Sequence, residues 1–313
     1  MAKQDTLVWN GEQPWLGIGT PINNDMSLKQ VLKAADLDWE VVREPSYYRV
    51  GNEEFRAPKD ILRRSDDASH ILTDVPEDWH VTQNEEAFGF FWNWIEEGKM
   101  RLVSAGSMDY SRTVWVLAEV GSGFELFKGD EHRNNILFTL PHRYGRSIDI
   151  RQTPVRIACN NMMAFALKQG SNSIRWDHRK AFDPEHVRVA LSIADKQFFQ
   201  LREYGEFLGR RAFEYDKVEE YVKTLYPVVI KPGTIKNHKE ISTRAQTVLQ
   251  YLDEQPGAEH AYGTWWQVFQ SVTFCINHVF GRDPETRLGS AWYGKDGDQA
   301  IRGLKLALEY ADK

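Results

Sequence analysis

Apolar positions recur at helical spacing over Ser27 to Leu37, where Leu28, Val31, Leu32 and Ala35 form one stripe and Ser27 is placed to cap it. A second amphipathic helix is predicted over Asn84 to Glu97, with Phe88, Phe91, Trp92 and Ile95 on its buried side. Val41 to Val50 reads as extended. From Arg101 to Arg151 the period changes to two, and strands are expected at Arg101–Ala105, Thr113–Val120, Phe124–Phe127, Asn135–Leu140 and Ser147–Arg151. That spacing suits an antiparallel meander of about four or five strands.

Beyond the meander the pattern returns to helices. Thr153-Pro154 reads as an N-cap followed by proline at the first helical position, opening a helix to about Lys168 that stops at Gly170. A long helical region follows over Glu185 to Tyr226. Pro227 and Lys231-Pro232-Gly233 interrupt it, and further helices are expected at Ser242–Leu252, Thr264–Phe280 and Gln299–Tyr310. The expected fold is α+β: an antiparallel meander packed with helices over 1–180, then a mostly helical region over 181–313.

Composition narrows the function classes. With 313 residues and 42% hydrophobic content the chain can bury a sizeable core. Its 39 basic and 45 acidic residues give a net charge of -6, so nucleic acid or an anionic membrane could be held only through a local patch. Cys159 and Cys275 are far apart and lack metal or redox spacing, and neither a signal-peptide core nor a membrane-length apolar run occurs. These features point to the cytoplasm. The 11 tryptophans are scattered, as packing residues are.

One local patch stands out. Between His142 and Lys180 lie Arg143, Arg146, Arg151, Arg156, Lys168, Arg175, Arg179 and Lys180, opposed only by Asp149 and Asp177, a net charge of about +6. Six of the eight are arginine, which favours bidentate phosphate contacts. The expected helix start at Thr153 would add free N–H groups and a dipole end, while Tyr144 and Trp176 could stack on bases. Asn160 and Asn161 are candidate contacts on the same helix. The alternative is that these arginines pair with carboxylates elsewhere in an acidic chain, and charge alone weighs the two readings equally.

Catalytic readings find less support. Pro76-Glu77 with Glu97-Gly98-Lys99 matches the outline of a Mg²⁺-dependent nuclease motif, but Glu97 falls at a predicted helix end where a strand is needed. Ser65-Asp66-Asp67 and Gly129-Asp130-Glu131-His132 are equally ordinary turn sequences. Gly17-Ile18-Gly19 lacks the third glycine and following helix of a dinucleotide loop, and no phosphate-binding GxxxxGK[ST] loop occurs. No histidine pair has metalloprotease spacing, and Cys159 reads as a core thiol.

Several stretches together resemble the phage- and plasmid-borne family known as domain of unknown function 932. They are Pro14-Trp15-Leu16-Gly17-Ile18-Gly19, Ala34-Ala35-Asp36-Leu37-Asp38-Trp39, Gln83 to Phe88, Thr153 to Asn161, Gly263-Thr264-Trp265-Trp266 and Arg287 to Gly294. The resemblance implies a mobile-element origin. The expected meander followed by a basic-ended helix is further similar, at fold level, to phage single-strand annealing proteins of the lambda Beta and RecT group, whose protomers assemble into rings or filaments. That similarity implies an ATP-independent single-stranded DNA binding and annealing protein of recombination or replication, without catalysis or cofactor. Its expected partners are DNA, copies of itself, and a phage exonuclease or single-strand binding protein. Two other classes stay open: a metal-dependent DNA-processing enzyme using Mg²⁺, and a protein-binding inhibitor of a host defence.

Overall fold

The computed structural model describes residues 4–11, 19–23, 25–156, 161–162, 173–179, 184–229 and 240–313. The protein is α+β, as the change of hydrophobic period implies. Its strands are β1 (Gln4–Asn10), β2 (Thr20–Ile22), β3 (Val41–Val50), β4 (Glu53–Arg64), β5 (Ile71–Val75), β6 (Met100–Met108), β7 (Thr113–Val120), β8 (Phe124–Glu125), β9 (Glu131–Arg133), β10 (Asn135–Pro141), β11 (Ile148–Gln152), β12 (Val155–Arg156), β13 (Asn161–Met162) and β14 (Ser173–Trp176). Its α-helices are α1 (Leu28–Ala34), α2 (Asn84–Glu96), α3 (Pro184–Gly209), α4 (Tyr215–Leu225), α5 (Thr243–Glu254), α6 (Trp265–Phe274), α7 (Pro284–Tyr293) and α8 (Lys295–Ala311).

Two compact units interleave along the chain: one holds residues 1–121, 135–152 and 168–194, the other 122–134, 153–167 and 195–313. In the first, a seven-stranded sheet has the order β14-β11-β10-β7-β6-β1-β2, and a three-stranded sheet has the order β3-β4-β5. Four of the five expected meander strands, β6, β7, β10 and β11, are its centre, whereas the fifth, expected at Phe124–Phe127, is the short β8 and belongs to a smaller sheet in the second unit. The centre is extended on one side by β1, which pairs with the distant β6, and then by the edge strand β2, and on the other side by β14, all short in pattern.

One face of the large sheet, through Val8, Leu102, Val116, Phe138 and Ile150, packs with Val31 and Leu32 of α1 and Phe88 and Phe91 of α2. Phe91 meets Phe138 at 4.8 Å between ring centroids. Both helices start where sequence predicts: Ser27 and Gln30 form a capping box at α1, as do Gln83 and Glu86 at α2. Asn84, buried in the first turn of α2, donates to the carbonyls of Leu37 and Trp39 at 3.1 and 3.3 Å and accepts from His142 Nε2 at 2.7 Å. A buried amide thus ties the helix to two non-local segments, each polar atom satisfied.

In the second unit, α4, α5, α6, α7 and α8 pack around Val218, Leu225, Val248, Trp265, Trp266, Phe269 and Leu304. Asp130 lies fully buried here, accepting the indole N–H of Trp266 at 3.2 Å, with His132 Nε2 at 3.4 Å. A four-stranded sheet of order β13-β12-β9-β8 completes the unit.

That small sheet corrects one expectation. Val155 and Arg156 do not open a helix but pair as a strand with Arg133 and His132 of β9, and with Met162 and Asn161 of β13. Thr153 is completely buried and caps nothing. Proline with a following β-branched residue suits a strand start as well as a first helical turn, and long-range pairing decides between them. The remainder of the expected helix, 157–160 and 163–170, lies outside the described residues.

Candidate nucleic-acid interface

The loop after β10 carries the exposed part of the basic segment. β7 and β10 run antiparallel with Pro141 opposite Thr113, so the β10–β11 loop (142–147) and the β6–β7 loop (109–112) emerge at the same end of the sheet. Arg143 crosses between them to Asp109 at 2.7 Å. Tyr144 is 47% exposed and Tyr110 is 68% exposed, so each loop offers one aromatic ring to solvent.

The Tyr144 ring is backed and flanked. Trp79 lies 5.9 Å from it, and Trp79 in turn stacks on His178 at 4.0 Å with 12° between planes. Lys59 Nζ sits 4.6 Å from the Tyr144 centroid while pairing with Asp74 at 2.7 Å. The backbone N–H of Tyr144 donates to Thr73 Oγ1 at 3.4 Å. A half-exposed ring with a cation beside it and a rigid aromatic floor is a stacking platform for a planar ligand.

Tyr110 sits in a strained turn. Asp109, Tyr110 and Ser111 have φ of 60°, 58° and 56°, three successive left-handed residues without a glycine. Each such residue costs about 1–2 kcal/mol, and the surroundings hold all three: Arg143 on Asp109, His70 Nε2 on the Tyr110 carbonyl at 2.9 Å, and Arg64 on Ser111 Oγ at 3.1 Å. Arg64 is itself nearly buried, pairs with Asp36 and Asp66 at 3.1 and 2.7 Å, and lies over the Trp39 ring. Strain kept in place by this many contacts is a common property of recognition loops.

The other basic residues divide. Arg151 and Arg175 both donate to Asp149, at 2.6 and 3.2 Å, and Asp149 is 4% exposed, so this cluster serves the sheet and keeps Arg151 largely out of solvent. Arg179 is exposed and pairs with Asp78 at 3.2 Å. Arg146 is exposed and has no ion-pair partner among the described residues. Of Arg156, Asn161 and Trp176 only the backbone is described, Trp176 pairing with Ile148 at the sheet end; Asn160 and Lys180 lie outside the described residues.

Lys59, Arg143, Arg146 and Arg179 therefore face Asp74, Asp109 and Asp78 around the two tyrosines, nearly balanced in charge. Pairing with carboxylates, the alternative weighed from composition, accounts for most of the arginines. Tyr110 and Lys59 were not candidates from sequence, because each is distant from the basic segment along the chain. The only local signal was Asp109-Tyr110-Ser111, a turn-like triplet between two strands.

The nuclease outline is not assembled. Glu97 ends α2 as an exposed residue paired with Lys99, and Asp130 is enclosed beside Trp266. Among the described residues no group of three or more His, Cys, Asp and Glu side chains is placed to hold a metal ion. Cys275 is buried, which pushes its thiol up to about 12 and makes it inert at neutral pH. Among the described residues no helix is long and apolar enough to cross a membrane.

Comparison with known proteins adds one finding. A family model described as Domain of unknown function (DUF932) matches residues 71–292, a span that includes both loops of this sheet end. No curated protein and no solved structure matches the chain.

Proposed function

We propose that this chain, which belongs to the DUF932 family, binds single-stranded DNA through the sheet end formed by residues 109–112 and 142–147 and promotes annealing without ATP. The observation that carries the reading is the pair of solvent-facing tyrosines, Tyr110 and Tyr144, on adjacent, well-anchored loops with Lys59, Arg143 and Arg146 beside them. Rings at this exposure accept unpaired bases, whose π-faces are alike, and the cations take the intervening phosphates. A phage or plasmid setting in recombination or replication suits such an activity.

Because most cations here already hold a carboxylate, stacking outweighs charge. The expected salt dependence is shallow, about one or two phosphates neutralised and a log–log slope of about -0.7 to -1.4. Anisotropy of a labelled oligonucleotide tests this. Tyr110→Ala and Tyr144→Ala should each weaken binding about tenfold, in line with ~1–3 kcal/mol per stacked base. Complementary strands should pair faster with the protein and no nucleotide present. A wild-type chain that leaves the oligonucleotide freely tumbling ends the proposal.

A further inference from the structure

The outer half of the β3–β4 hairpin is exposed to solvent. The inner half is fixed by β5, which pairs with Asp60 to Arg63, but among the described residues no strand pairs with β4 from Glu53 to Arg56 on that side, and none with the outer edge of β3. Tyr47, Tyr48, Arg49, Val50, Glu53, Glu54, Phe55 and Arg56 are all exposed, with Tyr48 at 51% and Val50 at 62%. A two-stranded ribbon bared on both faces is marginal in water, and a row of apolar residues on an unpaired edge is a template for another strand.

The side chains sort by face. Tyr48 pairs across the ribbon with Phe55, the rings stacked at 5.6 Å and 24°, and Val50 with Glu53. The other face carries Tyr47 opposite Arg56, the guanidinium 5.9 Å from the ring, and Arg49 opposite Glu54 at 3.3 Å. The tip is neutral, Arg49 and Arg56 against Glu53 and Glu54, so it draws neither a polyanion nor a basic partner. It is complementary to itself.

We infer that the β3 edge pairs with the β3 edge of a second copy of this chain, antiparallel about a two-fold axis at Tyr48. The loop has two residues, Gly51 and Asn52, with Gly51 at φ 63°, so Val50 and Glu53 close it as a hydrogen-bonded pair and the pattern alternates from there. Tyr47 and Arg49 then turn their N–H and C=O groups outward. The register centred on Tyr48 sets both outward residues of each copy opposite outward residues that carry an N–H, Tyr47 of one copy facing Arg49 of the other, twice by symmetry; centring on Tyr47 would set Arg49 against Pro45 instead. One face of the joined sheet becomes Phe55, Tyr48, Tyr48 and Phe55 in a row. On the other, each Arg49 lies beside the partner copy's Tyr47, while Pro45, which has no N–H to donate, bounds the pairing.

This contact closes on itself, so it yields a dimer, and it is separate from the tyrosines of the sheet end. Register gives a sharp test. Across a non-hydrogen-bonded antiparallel pair the Cα atoms lie about 4.5 Å apart, within disulfide reach, so Tyr48→Cys should form a covalent dimer under mild oxidation. Tyr47→Cys should not, and the unaltered chain with Cys159 and Cys275 serves as control. Light scattering should show the wild type at twice the chain mass and Arg49→Pro, which removes an outward N–H, as a monomer. A monomeric wild type, cross-linking equal at positions 47 and 48, or an Arg49→Pro chain that stays dimeric would overturn the inference. A wild type that is already monomeric and loses oligonucleotide binding on Arg49→Pro would likewise overturn it and assign the ribbon to nucleic acid.

Discussion

At the scale of single residues, Asp149 shows why a basic stretch need not be a basic surface. Its side chain is 6% exposed and takes the guanidinium of Arg151, whose side chain is 14% exposed, together with that of the more exposed Arg175. Removing one partner of a buried ion pair is costlier than the pair itself is stabilising, because the remaining charge stays out of water. Asp149→Asn should therefore lower stability by about 3 kcal/mol, read as a shift of the urea midpoint at unchanged slope. Released from Asp149, Arg175 should also raise oligonucleotide affinity slightly. By contrast the pairs of Arg143 and Arg179 are solvent-exposed and worth about 0–1 kcal/mol each, so a phosphate can displace their carboxylates cheaply.

At the scale of elements, α3 shows how a helix surface is shaped to admit a loop. Gly205 and Gly209, one turn apart, face Leu126 and Phe127. A Cβ at Gly209 would stand 2.0 Å from Phe127 Cζ, and one at Gly205 would stand 2.6 Å from Leu126 Cδ2. Alanine improves helix propensity by about 1 kcal/mol, yet displacing a packed ring costs about 1–3 kcal/mol. Gly209→Ala should lower the melting temperature in a calorimetric scan, whereas propensity alone predicts a rise. The same competition between local preference and distant contact explains β12. Thr153-Pro154-Val155 satisfies the rules for a helix start, but pairing with β9 and β13 makes it a strand. β4 is not legible in the sequence for another reason, since charged residues at Glu53, Glu54, Arg56, Lys59, Asp60, Arg63 and Arg64 hide any apolar period.

At the scale of the whole molecule, buried histidines link stability to pH. Burial pushes His142 down to about 3, with nearby His178 adding to the effect, and burial pushes His178 down to about 4. Both remain neutral when folded, while in the unfolded chain they take protons below about 6.5. The unfolded state thus binds more protons in this window, so stability is complete above about pH 6.5 and falls as pH drops toward 4, by up to about 1.4 kcal/mol per pH unit for each histidine. Chemical denaturation at pH 7, 6 and 5 should show this slope, and His178→Phe should flatten it. A profile unchanged by His178→Phe would mean that other groups govern acid unfolding.

Sequence alone determined the α+β class, the strands β6, β7, β10 and β11, the helix α1 with its Ser27 cap, and the helices α2 and α5, because hydrophobic period and capping residues act within a few positions of one another. It also carried the family likeness that the match over residues 71–292 bears out. Tertiary structure decided the rest: that Thr153 lies buried before a strand, that Asp149 holds Arg151 and Arg175, and that Tyr110 and Lys59 join Tyr144 at one sheet end. Each of these depends on which strands become neighbours. Strand pairing joins residues tens of positions apart through backbone hydrogen bonds that every residue offers alike, so the side-chain pattern marks a strand without naming its partner.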